Sequence, residues 1–266
     1  MTKLAEAFKN RKALITFITV GDPNLAATEK LIYQLEKAGA DIIELGIPFS
    51  DPLADGLVIQ ASHQRALKNN ISLSDVLKLV AKVRRKTKIS ICFMLSYNLV
   101  HKYGVEKFYK EAARVKVDGI IIPDLPPEEA LPLSSLCSDI SPLIRERKEE
   151  GVAQIFLVAP TSTDERIRLI AGKSSGFIYL ISDTGLTGKR KKLAEGLKDI
   201  IARIRKHSSL PIAVGFGIAQ PAQAAEIARL ADGVIVGSAI VDLIGKRKIK
   251  AVSKFVASLR RAIDAG

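Results

Sequence analysis

Residues 24–47 read NLAATEKLIYQLEKAGADIIELGI, and the order of events inside this stretch decides the fold. Asn24 opens a helical pattern in which Leu25, Leu31, Ile32 and Leu35 recur at helical spacing, and Gly39 stops it. Asp41 then leads straight into an apolar run at residues 42–47. The run is near-continuous rather than alternating, as parallel strands covered on both faces require. The same passage recurs at Val117-Asp118-Gly119-Ile120-Ile121 and at Ala231-Asp232-Gly233-Val234-Ile235. Three echoes of one helix-to-strand junction point to a chain built by repeating a single βα unit.

Working outward, eight such runs occupy residues 14–20, 42–47, 89–95, 119–122, 154–158, 177–181, 212–214 and 233–236. Helical patterns separate them at 24–37, 165–171, 193–206, 221–231 and 254–263, and Ser72 caps a further segment with Leu73, Val76, Leu77, Val80 and Val83 on one face. Pro221 stands where a first-turn proline belongs. A doubly wound open sheet gives the same alternation, but about 250 residues is the usual size of a closed barrel. The sequence therefore predicts a (β/α)8 TIM barrel, one domain over residues 1–266, with no Gly/Ser/Pro-rich linker. Between Pro123 and Gly151, Pro126, Pro127, Pro132 and Pro142 break the helical pattern, which reads as one enlarged connection.

With 47% hydrophobic residues the chain can bury a full core. No apolar run is long enough to span a membrane, and residues 1–12 lack a secretory pattern. Cys92 and Cys137 have no metal-type or disulfide spacing, so a reducing, cytoplasmic setting without structural metal is expected. The net charge of +13 is scattered over many helices without interleaved aromatics, and there is no Trp to stack on bases. That argues against nucleic acid as a partner and leaves a basic surface that attracts anions.

In barrels of this kind the reacting groups gather at the C-terminal ends of the strands. The second run continues as Glu44-Leu45-Gly46-Ile47-Pro48-Phe49-Ser50-Asp51-Pro52-Leu53-Ala54-Asp55-Gly56. Glu44 alternates with Ile43 and Leu45 and so points into the barrel mouth, where an acid is costly to bury without a job or a partner. Asp55 closes a Pro- and Gly-rich loop that can fold back over the same mouth, and two carboxylates in unlike surroundings can divide acid and base roles. Gly215-Phe216-Gly217 after the seventh run, and Gly237-Ser238 after the eighth, suit the phosphate site common in this fold. Residues 184–190 read as a glycine-hinged lid. His63, His101 and His207 read as surface positions.

Taken together, these segments closely resemble the tryptophan synthase alpha subunit family. The match runs through Phe17-Ile18-Thr19-Val20-Gly21-Asp22-Pro23, the block from Glu44 to Gly56, Ile122-Pro123-Asp124-Leu125-Pro126, Leu157-Val158-Ala159-Pro160-Thr161, Gly185-Leu186-Thr187-Gly188, Gly215-Phe216-Gly217 and Gly237-Ser238-Ala239-Ile240-Val241. The block from Glu44 to Gly56 weighs against other phosphate-binding barrels. The resemblance implies retro-aldol cleavage of indole-3-glycerol phosphate to indole and glyceraldehyde 3-phosphate. It implies Glu44 as acid–base and Asp55 as the group that holds the indole N–H. Thr187 would bond to Asp55, while Gly188, Gly217, Gly237 and Ser238 would hold the phosphate. Phe17, Leu125 and Phe216 would lie at the indole pocket. No metal or cofactor is implied for this chain; pyridoxal phosphate belongs to a beta subunit that receives the indole in an alpha2-beta2 complex. Two departures from the family pattern stand near the site: Ser96 where an aromatic is frequent, and Leu57 where a proline is.

Overall fold

The computed structural model describes residues 3–52, 55–130, 151–181, 190–215 and 217–266. Thr187, Gly188 and Phe216, the rest of the 184–189 segment, Cys137 and the connection beyond residue 130 lie outside the described residues.

The strands are β1 (Ala13–Thr19), β2 (Ile42–Gly46), β3 (Ser90–Met94), β4 (Gly119–Ile121), β5 (Ala153–Ile155), β6 (Leu157–Val158), β7 (Ile178–Ile181), β8 (Ile212–Gly215) and β9 (Gly233–Val236). All pair in parallel in the order β5-β4-β3-β2-β1-β9-β8-β7-β6. The two ends of that order, β5 and β6, are consecutive in sequence and separated only by Phe156. One half pairs with β4 and the other with β7, so the sheet closes on itself and the barrel has eight βα units. The run expected as one strand over 154–158 is thus split, because it bends at Phe156 to reach both neighbours; the Phe156 carbonyl still accepts from the Tyr179 N–H at 3.2 Å.

Around the strands lie α1 (Lys3–Glu6), α2 (Leu25–Lys37), α3 (Leu57–Leu67), α4 (Leu73–Val83), α5 (Tyr97–Tyr103), α6 (Val105–Arg114), α7 (Asp164–Lys173), α8 (Arg190–Arg205), α9 (Pro221–Ala228), α10 (Ser238–Gly245) and α11 (Ile249–Asp264). Capping follows the sequence. Asn24 accepts from the Ala27 N–H, Ser72 and Asp75 form a reciprocal box, and Pro221 opens α9. At Gly39, φ is +101° and a Cβ would sit 2.6 Å from Arg260 Cγ, so only glycine fits the turn out of α2. The helices α3, α5 and α6 are not apparent in the sequence patterns. In α3 the buried face is Ser62, His63 and Ala66, small and polar residues that leave no apolar stripe.

The barrel interior is filled by Ile15, Ile42, Cys92, Ile121, Ile155, Phe177, Ala213 and Ile235, with Leu4 of α1 packed against them. Outside the barrel a larger cluster joins the strands to the helices, including Leu31, Leu35, Val76, Val80, Phe108 and Val256.

The recurring aspartates explain themselves at the N-terminal ends of the strands. Asp41, Asp118 and Asp232 each accept a backbone N–H from a neighbouring strand: Leu14, Ile91 and Ile212, all at 2.8 Å. Each is also gripped by arginine: Asp41 by Arg11 and Arg260, Asp118 by Arg84, and Asp232 by Arg205. The repeated sequence is a repeated clamp that ties one βα unit to the next.

Candidate active site

Glu44 lies mid-way along β2, paired in register with Phe17 of β1 and Cys92 of β3. It shares the inward parity of Ile42, and its side chain is 0% exposed. Neither carboxyl oxygen has a hydrogen-bond partner among the described residues. A buried acid with no partner is costly to ionise, and burial, followed by the charge of Asp55, pushes Glu44 up to about 8. Glu44 is therefore a protonated acid near neutral pH.

Two residues further along the same face, Gly46 lines a cleft of about 540 Å³ at the C-terminal ends of the strands. Phe17, Phe49, Asp55, His63 and Met94 share its walls, and Glu44 pairs in register with Phe17, two residues before Gly46. A side chain at position 46 would run into the Phe17 ring, so the glycine is what lets the aromatic ring reach over the barrel.

Asp55 is anchored through its backbone: its N–H donates to the Pro52 carbonyl at 3.2 Å, and its carbonyl accepts from Gln60 Nε2 at 2.7 Å. Burial pushes its carboxyl up to about 6. The two acids thus stand apart: near neutral pH Asp55 is an anion while Glu44 keeps its proton.

His63 is not at the surface, contrary to the sequence expectation. It is 5% exposed and lies against Asp55, with Nε2 3.5 Å from Oδ2. Burial lowers its pKa to about 4, so the imidazole is neutral. Its position went unread because α3 lacks the apolar periodicity that marks a buried face; the available signal was a histidine eight residues after Asp55, in a helix that starts directly beneath the loop. His101 and His207 are exposed, as expected.

Among the remaining residues singled out, Gly237 caps α10 just after β9, and Ser238 is the first, exposed residue of that helix. Gly217, at φ +52°, follows β8. Leu125 packs its partly buried side chain against the outer clusters, next to Asp124 on the cleft wall. Ser96 donates to Asp124 Oδ2 at 2.6 Å while the Tyr97 N–H donates to Oδ1 at 2.8 Å, so this serine orders the rim. Leu57, where the resemblance expects proline, is 83% exposed at the start of α3. Among the described residues no cluster of His, Cys, Asp and Glu could hold a metal ion, and no helix is long and apolar enough to cross a membrane.

A closed parallel barrel with a buried acid on its inner face, a second carboxylate on the wall of the cleft at its mouth and a helix N-terminus after its last strand is the active-site architecture of a (β/α)8-barrel enzyme. The comparisons with known proteins make this specific. The chain belongs to the tryptophan synthase alpha chain family, whose profile matches residues 4–264. It is 48% identical to the tryptophan synthase alpha chain of Geotalea daltonii, over 98% of this chain and 97% of that one. Among solved structures it is similar to the tryptophan synthase subunit alpha of Legionella pneumophila, at 36% identity and a TM-score of 0.86, covering 99% of this chain and 98% of the other. It is also similar to a chain of Mycobacterium tuberculosis tryptophan synthase, at 33% identity and a TM-score of 0.87, over 100% and 99% of the two.

Proposed function

We propose that the cleft performs its family's reaction, cleaving indole-3-glycerol phosphate to indole and glyceraldehyde 3-phosphate, with Glu44 as acid–base and Asp55 as the anion beside the indole nitrogen. As a tryptophan synthase alpha chain, the protein is the carbon–carbon lyase of a pair and passes indole to a beta subunit. The observation that supports the residue assignment is geometric: Glu44, inward on β2 and fully buried with no hydrogen-bond partner among the described residues, stands level with Phe17 on the wall of a cleft that Asp55 also lines.

The chemistry needs both states at once. The Glu44 carboxylic acid gives its proton to C3 of the indole, which turns the ring into an electron sink with positive charge toward nitrogen. The Asp55 carboxylate, accepting the indole N–H, offsets that charge on a largely buried cleft wall, where the interaction is stronger than in bulk water. The Glu44 carboxylate then takes the proton of the side-chain hydroxyl. The C–C bond breaks, its electron pair returns to the ring as indole, and the carbonyl of glyceraldehyde 3-phosphate forms. Glu44 ends the cycle protonated, as it began.

Phe17, on the cleft wall, would pack on the indole; the family resemblance also assigns Phe216 and Leu125 to the indole pocket and a bond from Thr187 to Asp55, although Leu125 packs against the outer clusters and does not line the cleft. Backbone N–H groups at Gly188, Gly217, Gly237 and Ser238 hold the phosphate, helped at the last two by the dipole of α10. The chain uses no cofactor of its own. Pyridoxal phosphate resides in the beta partner of a cytoplasmic alpha2-beta2 complex, and neither nucleic acid nor membrane takes part.

Indole released from indole-3-glycerol phosphate, measured with and without a tryptophan synthase beta subunit, tests this reading. Release by the chain alone, increased by the partner, is expected. No indole under either condition contradicts it.

A further inference from the structure

We propose that His63 is a positioning residue for Asp55, its imidazole turned by the Phe49 backbone so that an Nε2–H faces the Asp55 carboxylate. The inference deepens the reading above and rests on Asp55 as the group that carries the indole's developing charge.

Two contacts fix the ring. The Phe49 N–H donates to His63 Nδ1 at 3.0 Å, which requires a lone pair on Nδ1 and leaves the proton of the neutral ring on Nε2. That Nε2 lies 3.5 Å from Asp55 Oδ2 and has no hydrogen-bond partner among the described residues. The helix that carries it is tied to β1: Ser62, the preceding residue, accepts from Thr19 Oγ1 at 2.5 Å and donates to the Ile59 carbonyl at 2.6 Å.

A histidine serving only as core packing would have both nitrogens satisfied or apolar neighbours on the free side. Here one nitrogen is satisfied and the other points at a carboxylate on the cleft wall. A buried donor left unmatched costs about 1–3 kcal/mol. An approach of roughly half an ångström turns the present separation into a hydrogen bond. The contact then does two things: it fixes the rotamer of Asp55 toward the cleft, and it favours the ionised carboxylate over the acid.

The ionisable groups around Asp55 among the described residues are His63 on α3, Glu44 on β2 and Tyr179 on β7, with Asp51 and Asp124 also on the cleft wall. Burial opposes ionisation of Asp55, and His63 sets an Nε2–H with no hydrogen-bond partner among the described residues 3.5 Å from its Oδ2, where it favours the charged form. Since the imidazole itself titrates at about 4, it stays neutral while Asp55 changes state at about 6.

The test compares His63→Asn, His63→Gln and Asp55→Asn with the unaltered chain, using indole-3-glycerol phosphate across the pH range and thermal unfolding alongside. In His63→Asn the side-chain oxygen keeps the Phe49 N–H but the amide is too short to reach Asp55. Its acid limb of kcat/KM is expected to move up by about one pH unit, giving about a tenfold loss near pH 6 that shrinks toward pH 8, with KM within about twofold. In His63→Gln the longer amide reaches Asp55, and most of the loss is recovered. A His63→Asn variant with an unmoved acid limb overturns the proposal. So does a loss equal at every pH that follows lowered melting temperature and is not rescued by Gln, since that is a packing role. If Asp55→Asn turns over normally, the reading of Asp55 falls and this proposal with it; if Asp55→Asn is inert and His63→Asn is normal, this proposal alone fails.

Discussion

Glu44 owes its state to what is missing around it: full burial, no hydrogen-bond partner among the described residues, and the Asp55 charge nearby. That arrangement is a cost to the fold. With a folded pKa of about 8 against an ordinary 4.5, the unfolded chain releases this proton first as pH rises. Stability therefore falls through that window, by on the order of 3 kcal/mol at about pH 7. Glu44→Gln, which cannot ionise, is expected to unfold at higher urea than the unaltered chain at about pH 8, with no such gain at about pH 4. Asp55→Asn keeps the shape of the cleft and removes the anion. Its kcat is expected to fall by about two to three orders of magnitude while a phosphate-bearing ligand still binds, as steady-state kinetics and titration will read. At this scale the sequence was readable for Glu44 because an acid in an apolar alternating run is conspicuous. For His63 it was not, because a histidine among Ser62, Ala66 and polar neighbours has no periodic context to betray its burial.

The elements were legible where burial writes a pattern. The strands, covered on both sides, appear as apolar runs, and α4 shows its face through Val76, Leu77, Val80 and Val83. α3 and the bend at Phe156 were not legible, since one packs with small polar residues and the other is a closure geometry set by two neighbours. The three aspartate echoes were visible as repetition, but their meaning is tertiary: each carboxylate clamps a neighbouring strand and an arginine. Asp118 illustrates the energetics, because its removal leaves both Arg84 and the Ile91 N–H without their carboxylate. Asp118→Ala is expected to lower unfolding stability by about 3 kcal/mol in urea titrations. The clamp lies at the end of the barrel away from the cleft, so kcat of the folded variant should not change.

Across the whole molecule, a closed barrel puts a dry, sealed layer under an open mouth, and that vertical gradient sets the two acids apart. The activity profile should carry its imprint. kcat/KM is expected to rise with pH through about 6 as Asp55 ionises and to fall through about 8 as Glu44 loses its proton. A profile flat across both values would contradict the division of roles. The most direct measurement is indole release from indole-3-glycerol phosphate by Glu44→Gln, with binding of a phosphate-bearing ligand measured on the same sample. The account requires cleavage to fall by about a thousandfold or more while binding is kept. Turnover near that of the unaltered chain would show that the proton comes from elsewhere.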